Sequence, residues 1–438
     1  MRRLGVSNIF KLLSIFMAIS FYTFFAVKEK NLFFVFPLVL FFIIVVFDIK
    51  SKNSISFLFF LLFYGFFSRL FYFFTAGYTY NLVFLIPFFY IIFFLKEIFY
   101  SFLDLTKELK LFFLLHFLII LYMIILPLKT DIFDFFVLLN LYILPFFFFL
   151  NFKNFTVVFN RFLVYLFPLT FFYAVLQYFN IYFLSDIYYV KNVSFYQYTS
   201  LKLGNYYRPF STFSSVEEFS CFLVLSFILF LKNKNRLSIA FSLISFFLVI
   251  LFSFRTAMFL AIFMFFIFLL FEKRYKTFFV VFLLFFILTE SLLIFVKIDT
   301  TVYKDDSRLE TILKHNVEPF IRNFETYSLK NRIQKVKNDM VNLKRKPFGD
   351  GLYLSSKALD KNIDKNKYET SFLNLLFSGG FVFVLYFVLS VWILFRKINI
   401  FTIFYILLFL LSSLFNFHFV LPVILKVLFE EYDGYRID

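Results

Sequence analysis

Residues 237–271 read LSIAFSLISFFLVILFSFRTAMFLAIFMFFIFLLF, a stretch whose only charge is Arg255. Two apolar runs, 237–254 and 257–271, meet there with almost no loop between them. Each is close to the ~20 residues that cross a hydrocarbon core. Neither run alternates apolar with polar as a barrel strand must, and both are apolar all round rather than on one stripe. The stretch therefore reads as two membrane helices joined by a tight connection that carries one arginine.

The same texture extends in both directions. Further apolar runs fall at 9–27, 32–47, 55–75, 82–95, 111–127, 132–150, 162–179 and 216–231 on the N-terminal side. Runs at 277–296, 371–395, 400–415 and a short 419–429 follow on the other. Composition agrees: 62% of the 438 residues are hydrophobic, 26% aromatic and 16% charged, with 86 Phe. Soluble domains carry about a quarter charged residues, and a water-soluble core could not hide so many rings. The apolar content would fill roughly 13 membrane helices. The expected fold is all-α, a polytopic membrane bundle of about 12 to 14 spans with one large extracytoplasmic loop.

Charge then sets the orientation. The net charge is +17, from 44 basic and 27 acidic residues, yet the cations lie in short clusters between apolar runs. That placement points to topology control rather than to nucleic acid. With the N-terminus inside, Lys50, Lys52, Lys96, Lys107, Lys110, Lys232, Arg236, Lys273, Arg274, Arg396 and Lys397 fall in the cytoplasm. The opposite short loops hold Lys28, Lys30 and Lys129. Met1-Arg2-Arg3 and the run 9–27 lack a small-residue cleavage site and read as a retained first span. Four regions result: an N-terminal bundle, 1–180; spans with a short external motif loop, 181–296; a large external loop, 297–370; and C-terminal helices with a tail, 371–438. The large loop holds about 16 basic and 11 acidic residues. Within it Ile333, Val336, Met340 and Leu343 repeat at helical spacing among lysines, the pattern of a helix lying on a membrane face or packing on its own bundle.

Metal and redox chemistry find no residues. Cys221 is the single cysteine, and His116, His315 and His418 are scattered without ligand spacing. No cofactor is expected. Three polar blocks on the outer side can carry chemistry instead. The first, Arg208-Pro209-Phe210-Ser211-Thr212-Phe213, leads to Glu217 and Glu218 at the start of a span. Arg208 offers a planar fork of donors suited to phosphate; the acidic pair is also the ordinary complement to a helix dipole. The second is Ser253-Phe254-Arg255-Thr256, where an arginine near the membrane either faces a cavity or snorkels to the interface. The third runs from Asn331-Arg332 through Pro347-Phe348-Gly349-Asp350-Gly351 to Tyr368-Glu369-Thr370 and Gly379-Gly380. Four of the chain's nine glycines lie in this block, marking a tight turn and a close helix approach.

In their order, these blocks resemble the O-antigen polymerase and O-antigen ligase superfamily of bacterial membrane glycosyltransferases. That pattern has an Arg before a Gly/Ser-Thr-Phe stretch opening a span, as Arg208 precedes Ser211-Thr212-Phe213. A small polar-Arg turn follows between two spans, as Ser253 and Arg255 do here. The long outer loop carries an Arg ahead of a Pro-x-x-Gly-x-Gly turn, matched by Arg332 and residues 347–351. It ends near a His-Asn-like pair about ten residues before a glycine, and that register gives Glu369-Thr370 before Gly380. The resemblance covers roughly 206–395. Ligases use a loop histidine as base where this chain has Glu369, which favours a polymerase.

The resemblance implies an enzyme of the bacterial cytoplasmic membrane that joins polyprenyl-diphosphate-linked oligosaccharides on the outer face. The glycan would be lipopolysaccharide O-antigen, capsule or another exopolysaccharide. Glu369, Arg208 and Arg255 are then the expected catalytic residues, with Arg332, Glu217 and Glu218 binding substrate. The arginines neutralise a departing diphosphate without a metal, and Glu369 serves as general base. Membrane lipid, a chain-length regulator and a flippase are the implied partners; nucleic acid is not. A polysaccharide flippase is the rival reading, but it would lack the large external loop and would place charges within its spans. Enzymes of the polyprenyl-phosphate-sugar type carry an acidic first external loop, which Lys28-Glu29-Lys30-Asn31 does not supply.

Overall fold

A computed structural model describes residues 98–126, 155–179, 216–233, 235–252, 255–280, 344–351, 371–396 and 398–411, several positions between 202 and 213, and single positions elsewhere. The described residues are almost entirely helical. In chain order they form α1 (Lys107–Ile125), α2 (Phe155–Tyr178), strands β1 (Lys202–Leu203) and β2 (Tyr206–Tyr207), α3 (Val216–Asn233), α4 (Arg236–Phe252), α5 (Arg255–Phe271), α6 (Ser371–Phe395) and α7 (Ile400–Leu411). The apolar runs at 9–27, 32–47, 55–75, 82–95 and 132–150 lie outside the described residues, as do most of 277–296, 419–429 and the loop 297–370.

Helix ends are set by local chemistry. Asn235 opens α4: its carbonyl accepts from the Ile239 N–H at 2.9 Å and its side chain from the Ser238 N–H at 2.7 Å. Asn399 opens α7 in the same way, its side chain accepting from the Thr402 N–H at 2.8 Å. Each cap satisfies a donor that the first helical turn leaves without a partner. At the end of α5, Lys273 has φ 55°, the Arg274 N–H donates to the Leu269 carbonyl and the Lys273 N–H to that of Leu270. This is the paired closure by which a left-handed residue ends a helix.

Two units result, described separately. The chain passes from one to the other within α2, after Thr170, and again after Ser211, Ser214 and Gly349. One unit holds α3, α4 and α5, which pack together. Phe227, Phe246 and Phe265 form a three-ring cluster with one ring from each helix and centroids 5.4 to 6.3 Å apart. The Ser242 hydroxyl also donates to the Phe227 carbonyl at 3.3 Å, tying α4 to α3.

The other unit is built on α1, α6 and α7. Glu108 meets Arg396 at 3.4 Å, His116 Nδ1 lies 2.7 Å from the Tyr386 hydroxyl, and Met123 lies against Gly379. Position numbers rise along α1 as they fall along α6, so the two helices run antiparallel. Lys107, Glu108 and Arg396 consequently share one end of the pair and the glycines the other. The Arg396 guanidinium also sits 4.2 Å over the ring of Trp392, the chain's single tryptophan.

The run 371–395 reads from sequence as one span; the structure folds it. Gly380 has φ 58° and ψ −143° inside α6, a conformation essentially confined to glycine. Phe372 and Phe387 would stand about 22 Å apart along a straight helix, yet their ring centroids are 5.0 Å apart, and Phe372 reaches Phe383 at 5.7 Å. Residues 371–379 therefore turn back against the segment that begins at 381. Among the described residues, Lys107–Ile125 has the length and hydropathy to cross a membrane, and Leu375–Phe395 has them only when counted straight through the break at Gly380. The helical stretches Phe162–Tyr178, Phe219–Asn233, Arg236–Leu251 and Ala257–Phe271 are apolar and shorter.

Candidate functional site

Each of the three polar blocks lands at a helix end. The first begins with a two-residue ladder, Lys202 opposite Tyr207 and Leu203 opposite Tyr206. Pro209, two residues beyond β2, is buried. Ser211 then takes φ 54°, a left-handed conformation uncommon outside glycine. Its backbone is gripped from both sides by one side chain. The Ser211 N–H donates to Gln177 Oε1 at 2.7 Å, and Gln177 Nε2 donates to the Ser211 carbonyl at 2.9 Å. Gln177 belongs to the last turn of α2, and both residues are buried.

Glu217 and Glu218 occupy the first turn of α3, where a carboxylate complements the helix dipole. Below them the Ser220 hydroxyl donates to the Val216 carbonyl at 2.6 Å. In the second block, only Ser253 and Phe254 separate α4 from α5, and Arg255 is the first residue of α5. No acidic residue shares that first turn. A cation is the wrong charge for a helix N-terminus, so helix formation does not account for Arg255.

The third block is where the structure joins what lies apart in the chain. The Gly349 N–H donates to the Lys346 carbonyl at 3.0 Å, closing a turn in which Gly349 and Gly351 have φ of 86° and 82°. The next two N–H groups reach α6: Asp350 donates to the Phe377 carbonyl at 3.1 Å and Gly351 to the Ser378 carbonyl at 2.8 Å. These carbonyls end the helical segment that stops at Gly380, so its last turn has left them without intrahelical partners. The loop turn caps the break. Gly379 lies at the closest approach: a Cβ there would stand 2.8 Å from the Phe383 Cβ and 2.9 Å from the Met123 sulfur. The glycines read as a tight turn and a close helix approach thus serve both purposes at one place.

Arg208, Arg332 and Glu369 lie outside the described residues, and the backbones of Arg255, Glu217 and Glu218 are described without their side chains. One polar group, Gln177, escaped the sequence reading, and another, His116, entered it only as a histidine without metal-ligand spacing. Gln177 is the one amide in the run 162–179, and His116 the one histidine in 111–127; a polar residue inside an apolar run is the signal that could have flagged both. His116 pairs with Tyr386 beside Phe112, whose ring stacks on it at 6.4 Å and in turn meets the ring of Tyr405 edge-on at 6.3 Å. The Tyr386 and Tyr405 side chains line a small void together with Ser390 and Leu394. Compared with known protein families, characterised proteins and solved structures, the chain matches none.

Proposed function

We propose that this chain is a polytopic glycosyltransferase of the bacterial cytoplasmic membrane, an O-antigen polymerase type of enzyme with 12 to 14 spans and an active site on the outer face. It extends a glycan from polyprenyl-diphosphate-linked repeat units. The acceptor hydroxyl attacks the donor's anomeric carbon as the bond from that carbon to the diphosphate oxygen breaks. The hydroxyl proton passes to Glu369, and the electron pair leaves with the diphosphate. Arg208, Arg255 and Arg332 oppose the charge that develops there, the kind of preorganised electrostatic help that contributes most to such transfers. A carboxylate base adds about 10²- to 10⁴-fold.

The observation that carries this reading is the cap at the helix break. The Pro347–Gly351 turn and the Gly379–Gly380 pair belong to one motif block, and the backbone of Asp350 and Gly351 bonds the helical segment that Glu369 introduces. Asp350 and Gly351 are thereby held to the first segment of that helix. The membrane setting is supported by apolar stripes left on the surface. Leu111, Leu114, Leu118 and Ile125 are exposed along α1, and Phe381, Leu385, Val388 and Trp392 along α6. Exposed apolar residues repeated along a helix are suited to contact with lipid or a partner rather than with water.

The test is glycan length on gels from cells that lack the chain and express variants in its place. Loss of the ladder with single repeat units retained is the expected outcome. Loss of all surface glycan identifies a flippase, and full-length polymer left unattached to its lipid acceptor identifies a ligase. Arg208→Lys, Arg255→Lys and Arg332→Lys should each cut polymer sharply, because a point charge cannot replace a bidentate fork. Glu369→Gln should abolish the ladder at normal protein level. Wild-type ladders from all four variants would overturn the assignment.

A further inference from the structure

We propose that Gln177 is a positioning residue, fixing the backbone of the stretch that carries Arg208; its role in transfer rests on the function proposed above. Two described residues other than glycine have positive φ, Ser211 and Lys273. Lys273 has an ordinary reason, since it closes α5. Ser211 has none of that kind: the next helix, α3, starts only at Val216. A left-handed residue with a Cβ costs about 1–3 kcal/mol and persists where its surroundings over-determine it.

At Ser211 the surroundings are the Gln177 amide. It supplies an acceptor to the N–H and a donor to the C=O of one residue, as a neighbouring strand would, at 2.7 and 2.9 Å. Both residues are at most 2% exposed, a setting in which losing a hydrogen bond to the backbone is costly. The chemistry selects glutamine. Glutamate keeps the acceptor but loses the donor and sets its charge against the Ser211 carbonyl; asparagine is one methylene short.

The grip has reach along the chain. Arg208 is three residues before Ser211, a span of at most ~10 Å even when extended. It is bounded by the paired strand residue Tyr207 on one side and the buried, φ-restricted Pro209 on the other. The hold on Ser211 therefore acts on Arg208 through a tether of three residues. A tie needed only for stability would be served better by glycine at 211, which adopts the same φ without strain.

The experiment uses the full-length protein in liposomes with a polyprenyl-diphosphate-linked repeat unit as donor. Rates are expressed per folded protein counted by size-exclusion fluorescence. Gln177→Glu and Gln177→Ala should lower kcat/KM on the order of 10- to 100-fold, as small misplacements of a charge-bearing group do, chiefly through donor KM. In an Arg208→Ala background the same changes should add almost nothing, because they act through Arg208. Wild-type kinetics per folded protein in both variants, or effects fully additive with Arg208→Ala, would overturn the proposal. A second readout needs no activity: maleimide labelling of Arg208→Cys, with Cys221→Ser to remove the native thiol. Its rate should change several-fold when Gln177→Glu is added, and an unchanged rate would refute positioning. Wild-type protein that makes no polymer from this donor, with labelling that still responds to Gln177→Glu, would refute the proposed function and leave the positioning role standing.

Discussion

Gly379→Ala isolates the geometry on which the folded α6 depends. The new methyl would stand 2.8 Å from the Phe383 Cβ, 2.9 Å from Met123 Sδ and 3.3 Å from Met123 Cγ. Carbon atoms rest comfortably at about 3.5–4.0 Å, so the structure must open by several tenths of an ångström in two directions. Met123 can yield, because its thioether end is flexible. Phe383 cannot yield in the same way, since its Cβ is fixed to the backbone across the Gly380 reversal. Overpacking of this kind costs about 1–3 kcal/mol, and the helix propensity that Ala gains over Gly offsets at most ~1 kcal/mol. A net loss of about 1–2 kcal/mol is expected, lowering the folded-to-unfolded ratio about 5- to 30-fold. Reversible unfolding in mixed micelles with increasing denaturing detergent measures it. Adding Met123→Ala should relieve only the sulfur contact, giving a coupling of at least ~0.5 kcal/mol in a double-mutant cycle. Stability at or above wild type in Gly379→Ala, or strict additivity with Met123→Ala, would refute the close approach.

The reversal itself is open to cross-linking. In a Cys221→Ser background, Phe372→Cys with Phe387→Cys should form an intrachain disulfide under mild oxidation, whereas a straight helix would hold these positions about 22 Å apart; adding Gly380→Ala, which places a Cβ at φ 58°, should suppress it. Tyr386→Phe removes the hydroxyl that lies 2.7 Å from His116 and should destabilise the pair of helices by roughly 0.6–1.7 kcal/mol, the range for interhelical hydrogen bonds in membranes. If the bond is real, Tyr386→Phe should cost much less once His116→Phe is already present, and equal costs in the two backgrounds would count against it.

Hydropathy alone located the helices that are described. The runs at 216–231, 237–254, 257–271 and 400–415 became helices at Val216–Asn233, Arg236–Phe252, Arg255–Phe271 and Ile400–Leu411. That much follows from the backbone: a long apolar segment must satisfy its own N–H and C=O groups, and a helix does so locally. Glycine spacing likewise announced a turn and a close approach, because a residue without a Cβ adopts positive φ, as at 349, 351 and 380, at no steric cost.

Which surfaces meet was a different matter. A helix apolar on every face carries no periodic stripe to say which side is inward, so nothing in the run 371–395 revealed that it doubles back or that its carbonyls take their caps from Asp350 and Gly351. The same holds for the polar pairs. Gln177 and Ser211 lie 34 positions apart and His116 and Tyr386 lie 270 apart, and no local pattern links such partners. Hydropathy determined where the described helices lie along the chain. Tertiary packing alone decided which buried polar groups find each other, because an unpaired one in an apolar interior is too costly to leave and its partner can come from anywhere in the chain.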